Sequence, residues 1–292
     1  MQPIKHVKIG GFEMGNDLPF TLIAGNCQMQ SRDLSMKTAE KLKEICTRLK
    51  INLVFKNSYD KANRNALTGE RGVGLDYAIP VFDEIRKTFD LPIMTDVHTE
   101  EQVAIVAPHV DMLQQPAFLI RQTDLSVAIA KTGKVCSLKK AQFQSPFDMK
   151  NIIGKFEGSG NSSLCLTERG TSFGYGDLIV DIRSYVILAE YGYPVVCDAT
   201  HSVQKPGGMG SSSGGEAYMA PIIARAALST GLCSAIYIET HPEPLKGGSD
   251  MHNMIPLMYM EECLKQLKDI DAAAKANPSR RAEDWDQNGK PI

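Results

Sequence analysis

Four side chains of the types that bind divalent metal ions lie far apart in this sequence: Cys27, His201, Glu239 and Asp250. The first three each follow an apolar run that predicts a buried strand, and Asp250 lies a short loop beyond Glu239. Where strands alternate with helices, strand ends gather at one rim, so residues distant in sequence can face one pocket. A thiol, an imidazole and two carboxylates would together suit a mixed-ligand site for a divalent ion.

A second group of ionisable residues is cationic. The segment 56–65 reads Lys-Asn-Ser-Tyr-Asp-Lys-Ala-Asn-Arg-Asn, and Lys139, Lys140 and Arg169 follow other apolar runs. Lysine and arginine that converge with amide donors bind phosphate and carboxylate groups. One phosphate does not need so many cations, so the set predicts two anionic groups. The segment 56–65 taken alone is equally compatible with a solvated basic loop.

The elements that must position these residues alternate regularly. Short β-rich runs predict strands at 21–25, 52–55, 92–95, 111–114, 135–138, 163–166, 194–197 and 235–238. Helical spacing predicts helices at 33–50, 75–89, 100–107, 123–131, 147–156, 178–190, 216–229 and 255–274. The strands are continuous apolar runs, as in a parallel sheet buried on both faces. Eight such units favour an α/β fold of the single-domain (β/α)8 TIM-barrel type over an open doubly wound sheet.

The ends of the chain differ from this repeat. Residues 7–9 and Phe12, with two glycines between them, predict a short N-terminal β-hairpin that plugs the bottom of the barrel. We therefore expect a barrel domain at 1–276, hairpin included, and a polar C-terminal tail at 277–292 that carries the single tryptophan, Trp285. The glycine-rich segment 206–215 predicts either a mobile lid or a phosphate cradle of backbone N–H groups.

Composition excludes several classes of protein. The chain has 292 residues, is 43% hydrophobic and carries a net charge of −2, so it has no broad basic field for nucleic acid. No apolar run approaches the roughly 20 residues of a membrane span, and the N-terminus lacks the apolar core of a signal peptide. Seven cysteines, an odd and scattered set, argue against a disulfide framework. These features predict a cytoplasmic protein.

Several motifs, read in order along the chain, resemble one family. They are Lys-Ala-Asn-Arg (61–64), Thr-Asp-Val-His (95–98), Gln-Pro-Ala-Phe-Leu (115–119), Arg-Gln-Thr-Asp-Leu (121–125), Glu-Arg-Gly (168–170), Phe-Gly-Tyr (173–175), Asp-Ala-Thr-His-Ser-Val-Gln (198–204) and Glu-Thr-His-Pro-Glu-Pro (239–244). This set, spread over 18–267, is similar to that of the 3-deoxy-D-manno-octulosonate 8-phosphate synthases. The resemblance implies a (β/α)8 barrel, usually a homotetramer, that condenses phosphoenolpyruvate with D-arabinose 5-phosphate. The product feeds the inner core of lipopolysaccharide.

The resemblance also implies roles for individual residues. The phosphate and carboxylate of phosphoenolpyruvate would be held by four cations, Lys56, Lys61, Lys139 and Arg169. The same pocket would be lined by Gln114, Pro116, Ala117 and Gln142, and Asp96 belongs to the substrate-binding set. The arabinose phosphate would contact Asn63, Arg64 and Asn65, with Asp250 near its hydroxyl groups. The expected catalytic residues are Lys61, Lys139, Arg169, His201 and Asp250.

The family has a metal-independent subtype with Asn at the position of Cys27 and a metal-dependent subtype with Cys there. This chain has Cys27 and the segment Val-Gln-Lys-Pro-Gly-Gly (203–208) typical of the second subtype. The resemblance therefore implies a divalent ion, Fe, Zn, Mn or Co, held by Cys27, His201, Glu239 and Asp250. In the alternative hypothesis Cys27 packs without ligating a metal.

The chain departs from the family around the sugar-phosphate loop. Asn65 stands where the family usually has Ser, and Glu70 adds a negative charge in a segment that lacks the usual Ser-His. Another aldose phosphate is therefore an alternative substrate. The related heptulosonate 7-phosphate synthases have Lys-Pro-Arg-Thr in this loop, whereas Ala62 and Asn63 here favour the five-carbon acceptor. A non-catalytic anion-binding barrel and a metal-dependent sugar-bisphosphate aldolase fit less well, because the cationic set is complete and larger than one anion needs.

Overall fold

The computed structural model describes residues 2–64, 66–208 and 214–278, together with Lys290. Eight strands alternate with eight α-helices. The strands are β1 Thr21–Gly25, β2 Leu53–Lys56, β3 Ile93–Asp96, β4 Met112–Gln115, β5 Val135–Lys139, β6 Leu164–Glu168, β7 Val195–Asp198 and β8 Ala235–His241. The helices are α1 Arg32–Leu49, α2 Leu75–Phe89, α3 Glu100–Val106, α4 Thr123–Lys131, α5 Met149–Gly158, α6 Arg183–Ala189, α7 Ala220–Leu228 and α8 Met260–Ala276.

The eight strands close into a barrel. Each strand pairs in parallel with the next, and β8 pairs in parallel with both β7 and β1. Every residue of these strands is buried, which explains why their sequences are continuous apolar runs. Side chains that point outward pack against the helices, as Leu22 and Phe55 do in the large outer core. The predicted (β/α)8 barrel is confirmed.

The N-terminal hairpin seals one end of the barrel. Val7–Ile9 pairs antiparallel with Phe12–Met14. The buried hairpin residues Val7, Ile9 and Met14 form one apolar cluster with inward-facing residues near the strand starts. The predicted hairpin is therefore present, and its packing against the bottom of the barrel covers apolar surface that would otherwise contact water.

Helix α5 begins at Met149 rather than at 147, and three other helices begin four or five residues later than their sequence patterns predict. Before α6, Asp177–Ile179 instead pairs with Thr171–Phe173 as a hairpin. A 3₁₀ turn, Ala217–Met219, precedes α7. Before α8, Ile255–Pro256 pairs with the end of β8, because a proline biases its preceding residue toward extended backbone. The pattern therefore places these helices correctly but misses the loop structure at their starts.

All seven cysteines are free and buried, as expected of small apolar side chains. Among the described residues, no helix is both long and apolar enough to cross a membrane. Of the predicted polar tail 277–292, only residues 277, 278 and 290 are described, so the domain boundary at 276 stays a prediction.

Candidate active site

A cavity of about 410 Å³ opens where the barrel strands end at their carboxyl termini. Thirteen residues that the sequence predicts to bind substrate or act in catalysis line it: Lys56, Lys61, Asn63, Arg64, Asp96, Gln114, Pro116, Ala117, Lys139, Gln142, Arg169, His201 and Asp250. Asn65 lies outside the described residues. The barrel thus brings together residues from seven strand ends and the loops that follow them.

Lysine and arginine side chains converge on this cavity from separate loops. Lys56, Lys61, Arg64, Lys139 and Arg169 all line it. Arg169 is buried, and its Nε and Nη1 atoms have no hydrogen-bond partner among the described residues. A buried guanidinium with unpaired N–H groups is destabilising unless an anion pairs with it. The cavity is therefore suited to bind anionic groups.

The cationic side chains that line the cavity lie close enough together to affect the pKa of Lys139. Burial lowers the pKa of Lys139, and the nearby Arg169 and Lys56 lower it further, while Asp198 opposes the shift. Lys56 is buried on the cavity floor, with its Nζ 3.3 Å from Glu239 Oε1 and 3.6 Å from Asp96 Oδ1. A bound phosphate or carboxylate group would stabilise the charged lysines, because the few carboxylate side chains around them do not supply enough negative charge.

Three of the four predicted metal ligands meet beside the cavity. Ligand atoms of Cys27, His201 and Asp250 all lie within 4.8 Å of one another. Cys27 Sγ lies 3.2 Å from Asp250 Oδ2, and His201 Nε2 lies 3.7 Å from the same oxygen. These distances and donor types, a thiol, an imidazole and a carboxylate, fit a divalent transition metal ion after small side-chain movements.

Glu239, the fourth predicted ligand, lies next to this group but outside it. Its Oε1 is 3.9 Å from His201 Nε2 and accepts a hydrogen bond from the Tyr237 hydroxyl at 2.5 Å. Its Oε2 is buried and has no hydrogen-bond partner among the described residues. An unpartnered buried carboxylate oxygen beside the three predicted ligands is consistent with the predicted fourth ligand position.

The thiol of Cys27 is buried in contact with the carboxylate of Asp250. Burial raises the pKa of Cys27 well above its usual value, and the carboxylates of Glu239 and Asp250 raise it further, against the effect of Lys61. The thiol accordingly donates to Asp250 Oδ2. A bound divalent cation would displace this proton, since the thiolate is the ligand form of cysteine.

Asp198 is a site residue that was not among the predicted binding or catalytic residues. Its carboxylate lies 2.5 Å from Lys139 Nζ and 2.9 Å from His201 Nδ1. Burial would raise the pKa of Asp198, but His201 and Lys139 hold it far below its usual value. The hydrogen bond at Nδ1 leaves Nε2 of His201 directed at Asp250. In metal sites, a carboxylate placed behind a histidine in this way orients the ring toward the ion. The motif Asp-Ala-Thr-His contained this signal in its i, i+3 spacing.

Arg64 joins the loop after β2 to the loop after β8. Its Nη1 donates to Ser249 Oγ at 3.1 Å, and its Nε donates to the backbone oxygen of Glu70 at 2.6 Å. Its Nη2 donates to the backbone oxygen of Gly248 and to Gln28 Oε1. The same two loops carry Asn63 and Asp250 to the cavity, so this end of the pocket is built from their contact.

Two sequence expectations about the rim need correction or remain open. Lys140, predicted to be a rim cation, is fully buried and is not among the cavity-lining residues, because its ammonium group is turned into the adjacent loops. Within the glycine-rich segment, Pro206 and Gly207 line the cavity, whereas residues 209–213 lie outside the described residues.

The closed barrel, the convergent cations and the adjoining ligand group define a (β/α)8-barrel enzyme whose site suits anionic substrates. The model of the DAHP synthetase I family matches residues 3–276. The chain therefore belongs to the DAHP synthetase I family.

Three curated relatives carry a more specific name than that of the family. A 2-dehydro-3-deoxyphosphooctonate aldolase from Mesorhizobium japonicum is 54% identical, over 94% of this chain and 99% of the relative. Proteins of the same name from Granulibacter bethesdensis and Chelativorans sp. are 52% and 50% identical, over 92% and 94% of this chain and 95% and 100% of the relatives. That name denotes the 3-deoxy-D-manno-octulosonate 8-phosphate synthases, the family that the sequence motifs resemble.

Proposed function

We propose that this enzyme condenses phosphoenolpyruvate with D-arabinose 5-phosphate and water to give 3-deoxy-D-manno-octulosonate 8-phosphate and inorganic phosphate. The observation that carries the proposal is the convergence of five lysine and arginine side chains on one cavity beside the Cys27, His201 and Asp250 group. Two phosphates and a carboxylate must be held together for this reaction, which explains why one cavity holds so many cations. The name of the relatives supports the same product.

Phosphoenolpyruvate fits the deeper part of the cavity, where Lys139 and Arg169 lie. Arg169 offers two unpaired N–H positions, and a guanidinium binds a carboxylate or phosphate through paired hydrogen bonds. Gln114 and Gln142 also line this part, and each has a buried side-chain oxygen without a hydrogen-bond partner among the described residues. The Nε2 groups of the two amides, turned toward the bound anion, would donate hydrogen bonds to it and fix the orientation of the enol carbon.

The sugar phosphate fits the outer part, between Asn63, Arg64 and Asp250. Arg64 supplies the positive charge for the phosphate, and Asn63 supplies an amide beside it. The aldehyde end would then point toward the Cys27, His201 and Asp250 group. Holding two anionic substrates side by side against their mutual repulsion is a large part of the catalytic work, because it converts an unfavourable encounter into an oriented one.

The enzyme is proposed to depend on a divalent ion, Fe, Zn, Mn or Co, held by Cys27, His201 and Asp250 with Glu239 as a fourth ligand. When bound, such an ion would supply Lewis-acid chemistry by polarising the aldehyde oxygen or orienting the attacking water. The chain's own residues orient the ligands: Asp198 fixes the ring of His201, and Gln204 Nε2 donates to Asp250 Oδ1. The buried thiol and the unpartnered Glu239 oxygen support this assignment.

The setting of the reaction is proposed on the same basis. Formation of this sugar acid phosphate places the enzyme in the synthesis of the lipopolysaccharide inner core. Seven free cysteines are consistent with a reducing compartment, and we propose the cytoplasm. A homotetramer is proposed from the resemblance to the family, and size-exclusion chromatography with light scattering would test it.

Phosphate release tests the reaction and separates it from the alternative. We expect release to require both phosphoenolpyruvate and D-arabinose 5-phosphate, with erythrose 4-phosphate turning over more slowly. Faster turnover of erythrose 4-phosphate would establish the seven-carbon product instead and contradict the assignment of the Lys-Ala-Asn-Arg loop. Release without any aldose phosphate would exclude a condensation.

A further inference from the structure

Lys140 is a lysine that lies buried outside the active-site cavity. It is 0% exposed and is not among the residues that line the cavity. Its Nζ nevertheless lies close to five oxygen atoms: Ala141 O at 3.2 Å, Gln144 O at 3.4 Å, Gly170 O at 3.3 Å, Thr171 Oγ1 at 3.2 Å and Glu168 Oε1 at 3.4 Å. A buried ammonium group is retained only where such partners offset its desolvation.

Four of these oxygens belong to two different loops of the active site. Ala141 and Gln144 lie in the loop after β5, which presents Gln142 to the cavity. Gly170 and Thr171 lie in the loop after β6, directly beyond Arg169. The loops are also joined by the backbone of Ser172, whose N–H donates to Gln142 O at 2.9 Å. Lys140 therefore connects the two loops that present the proposed phosphoenolpyruvate ligands.

Glu168, the last residue of β6, holds the start of the loop that follows it. It is 1% exposed, and its Oε1 accepts the backbone N–H of Arg169 at 3.0 Å and that of Gly170 at 2.6 Å. Gly170 has φ +87°, a backbone region that favours glycine, so the chain turns sharply just after Arg169. One carboxylate oxygen thus holds the backbone of Arg169 and also pairs with Lys140.

We propose that the buried Lys140–Glu168 pair positions Arg169, and with it Gln142, for binding of phosphoenolpyruvate. Both members are positioning residues, because neither lines the cavity. Among the described residues, the guanidinium of Arg169 donates a hydrogen bond through Nη2 to Gln204 and through no other atom, so its direction depends strongly on where its backbone is held. The inference rests on the proposed role of Arg169 in binding phosphoenolpyruvate and adds two residues that act through it.

Two substitutions of different kinds test the pair in the full-length enzyme. Lys140→Met removes the ammonium group and keeps an unbranched side chain. Glu168→Gln keeps a carbonyl oxygen for the two backbone N–H groups but removes the charge opposite Lys140. We expect each to weaken phosphoenolpyruvate binding about tenfold, the magnitude of one lost charged hydrogen bond. Titration calorimetry gives the Kd for phosphoenolpyruvate, and steady-state kinetics should show a raised KM for it with the KM for arabinose 5-phosphate nearly unchanged.

Lys275 offers a matched control at the other end of the barrel. It too is a largely buried lysine, with its Nζ 3.1 Å from Cys233 O and 2.7 Å from Asp271 Oδ1. Lys275→Met should lower the unfolding temperature as Lys140→Met does, but it should leave the Kd for phosphoenolpyruvate unchanged. A changed Kd for phosphoenolpyruvate in Lys140→Met, with an unchanged Kd in Lys275→Met, separates positioning of the site from a general loss of stability.

A double-substitution cycle decides whether Lys140 acts through Arg169. Arg169→Ala alone should weaken phosphoenolpyruvate binding; if it does not, the proposed role of Arg169 is wrong. Given that loss, adding Lys140→Met should cause a clearly smaller further loss than Lys140→Met causes in the native background. The positioning role would be overturned if both single variants of the pair, Lys140→Met and Glu168→Gln, bound phosphoenolpyruvate undiminished. Full additivity in the cycle would overturn it as well. Either result would leave the proposed function intact.

Discussion

Cys27 Sγ lies 3.2 Å from Asp250 Oδ2, although 223 positions separate the two residues in the chain. β1 delivers the thiol and the loop after β8 delivers the carboxylate, and these two strands are neighbours where the barrel closes. Closure of the barrel is therefore what creates the ligand pair. An open sheet with β1 and β8 unpaired would leave the two residues apart.

Replacement of Cys27 by asparagine should reduce metal content and activity together. Cys27→Asn removes the only thiol of the ligand group, and an amide oxygen is a weaker ligand for transition metals than a thiolate. Metal analysis of the purified protein and phosphate release measure the two effects. Cys46→Ser, at another buried cysteine on α1, is the matched control and should keep both. Full activity of Cys27→Asn in the presence of a chelator would show that the site works without an ion.

The carboxylate of Asp198 should matter for metal binding although it is not expected to be a ligand. Asp198→Asn would weaken the hydrogen bond to His201 Nδ1 and leave Lys139 without its ion-pair partner. We expect metal affinity to fall roughly 10-fold to 100-fold, the usual effect of losing a partner behind a ligating histidine. His201→Ala should reduce the affinity at least as much. Competition with a metal-binding dye measures both, and unchanged affinity in His201→Ala would remove that residue from the ligand set.

Arg64 should govern affinity for the sugar phosphate. Arg64→Ala is expected to raise the KM for arabinose 5-phosphate by about tenfold or more, because a charged hydrogen bond to phosphate is lost. The KM for phosphoenolpyruvate should change far less. Arg71→Ala provides the control, since Arg71 pairs with Asp60 nearby but does not line the cavity. Equal effects on the two KM values would contradict the division of the cavity into two anion sites.

The hairpin should contribute stability rather than catalysis. Met14 is 1% exposed and packs with the residues inside the barrel. Met14→Ala should lower the free energy of unfolding by about 2–5 kcal/mol, as buried large-to-small substitutions do. Urea unfolding measures this loss, and kcat at a temperature well below the transition should stay near that of the native enzyme. Lys8→Ala on the exposed face of the hairpin is the control, and a large loss of kcat in folded Met14→Ala would assign the hairpin a role in the reaction.

The fold was predictable because its signals are local. Each strand is a continuous apolar run, and each helix has apolar residues at helical spacing, so counting eight pairs suffices to favour the barrel. The starts of α6 and α8 were misplaced because their preceding residues form short strands. Those pairings join segments through loop contacts, and hydrophobic periodicity carries no information about such contacts.

The site residues were predictable in identity but less so in geometry. The sequence predicts thirteen of them at strand ends or in the loops that follow, and the barrel brings all thirteen to one cavity. Lys139 and Lys140 are adjacent in sequence, yet successive residues at the end of a strand point to opposite sides. Lys139 therefore reaches the cavity while Lys140 is buried between two loops. Glu239 is likewise held outside the Cys27, His201 and Asp250 group by its hydrogen bonds with Tyr237 and Lys56. Spacing in the sequence does not reveal these contacts.

Phosphate release from phosphoenolpyruvate plus arabinose 5-phosphate, measured with and without a chelator, tests the central claim most directly. We expect the chelator to abolish release and a divalent ion, Fe, Zn, Mn or Co, to restore it. Release that survives complete removal of metal would keep the reaction but contradict a catalytic role for the Cys27, His201 and Asp250 group. Absence of release in metal-loaded enzyme would contradict the proposed reaction itself.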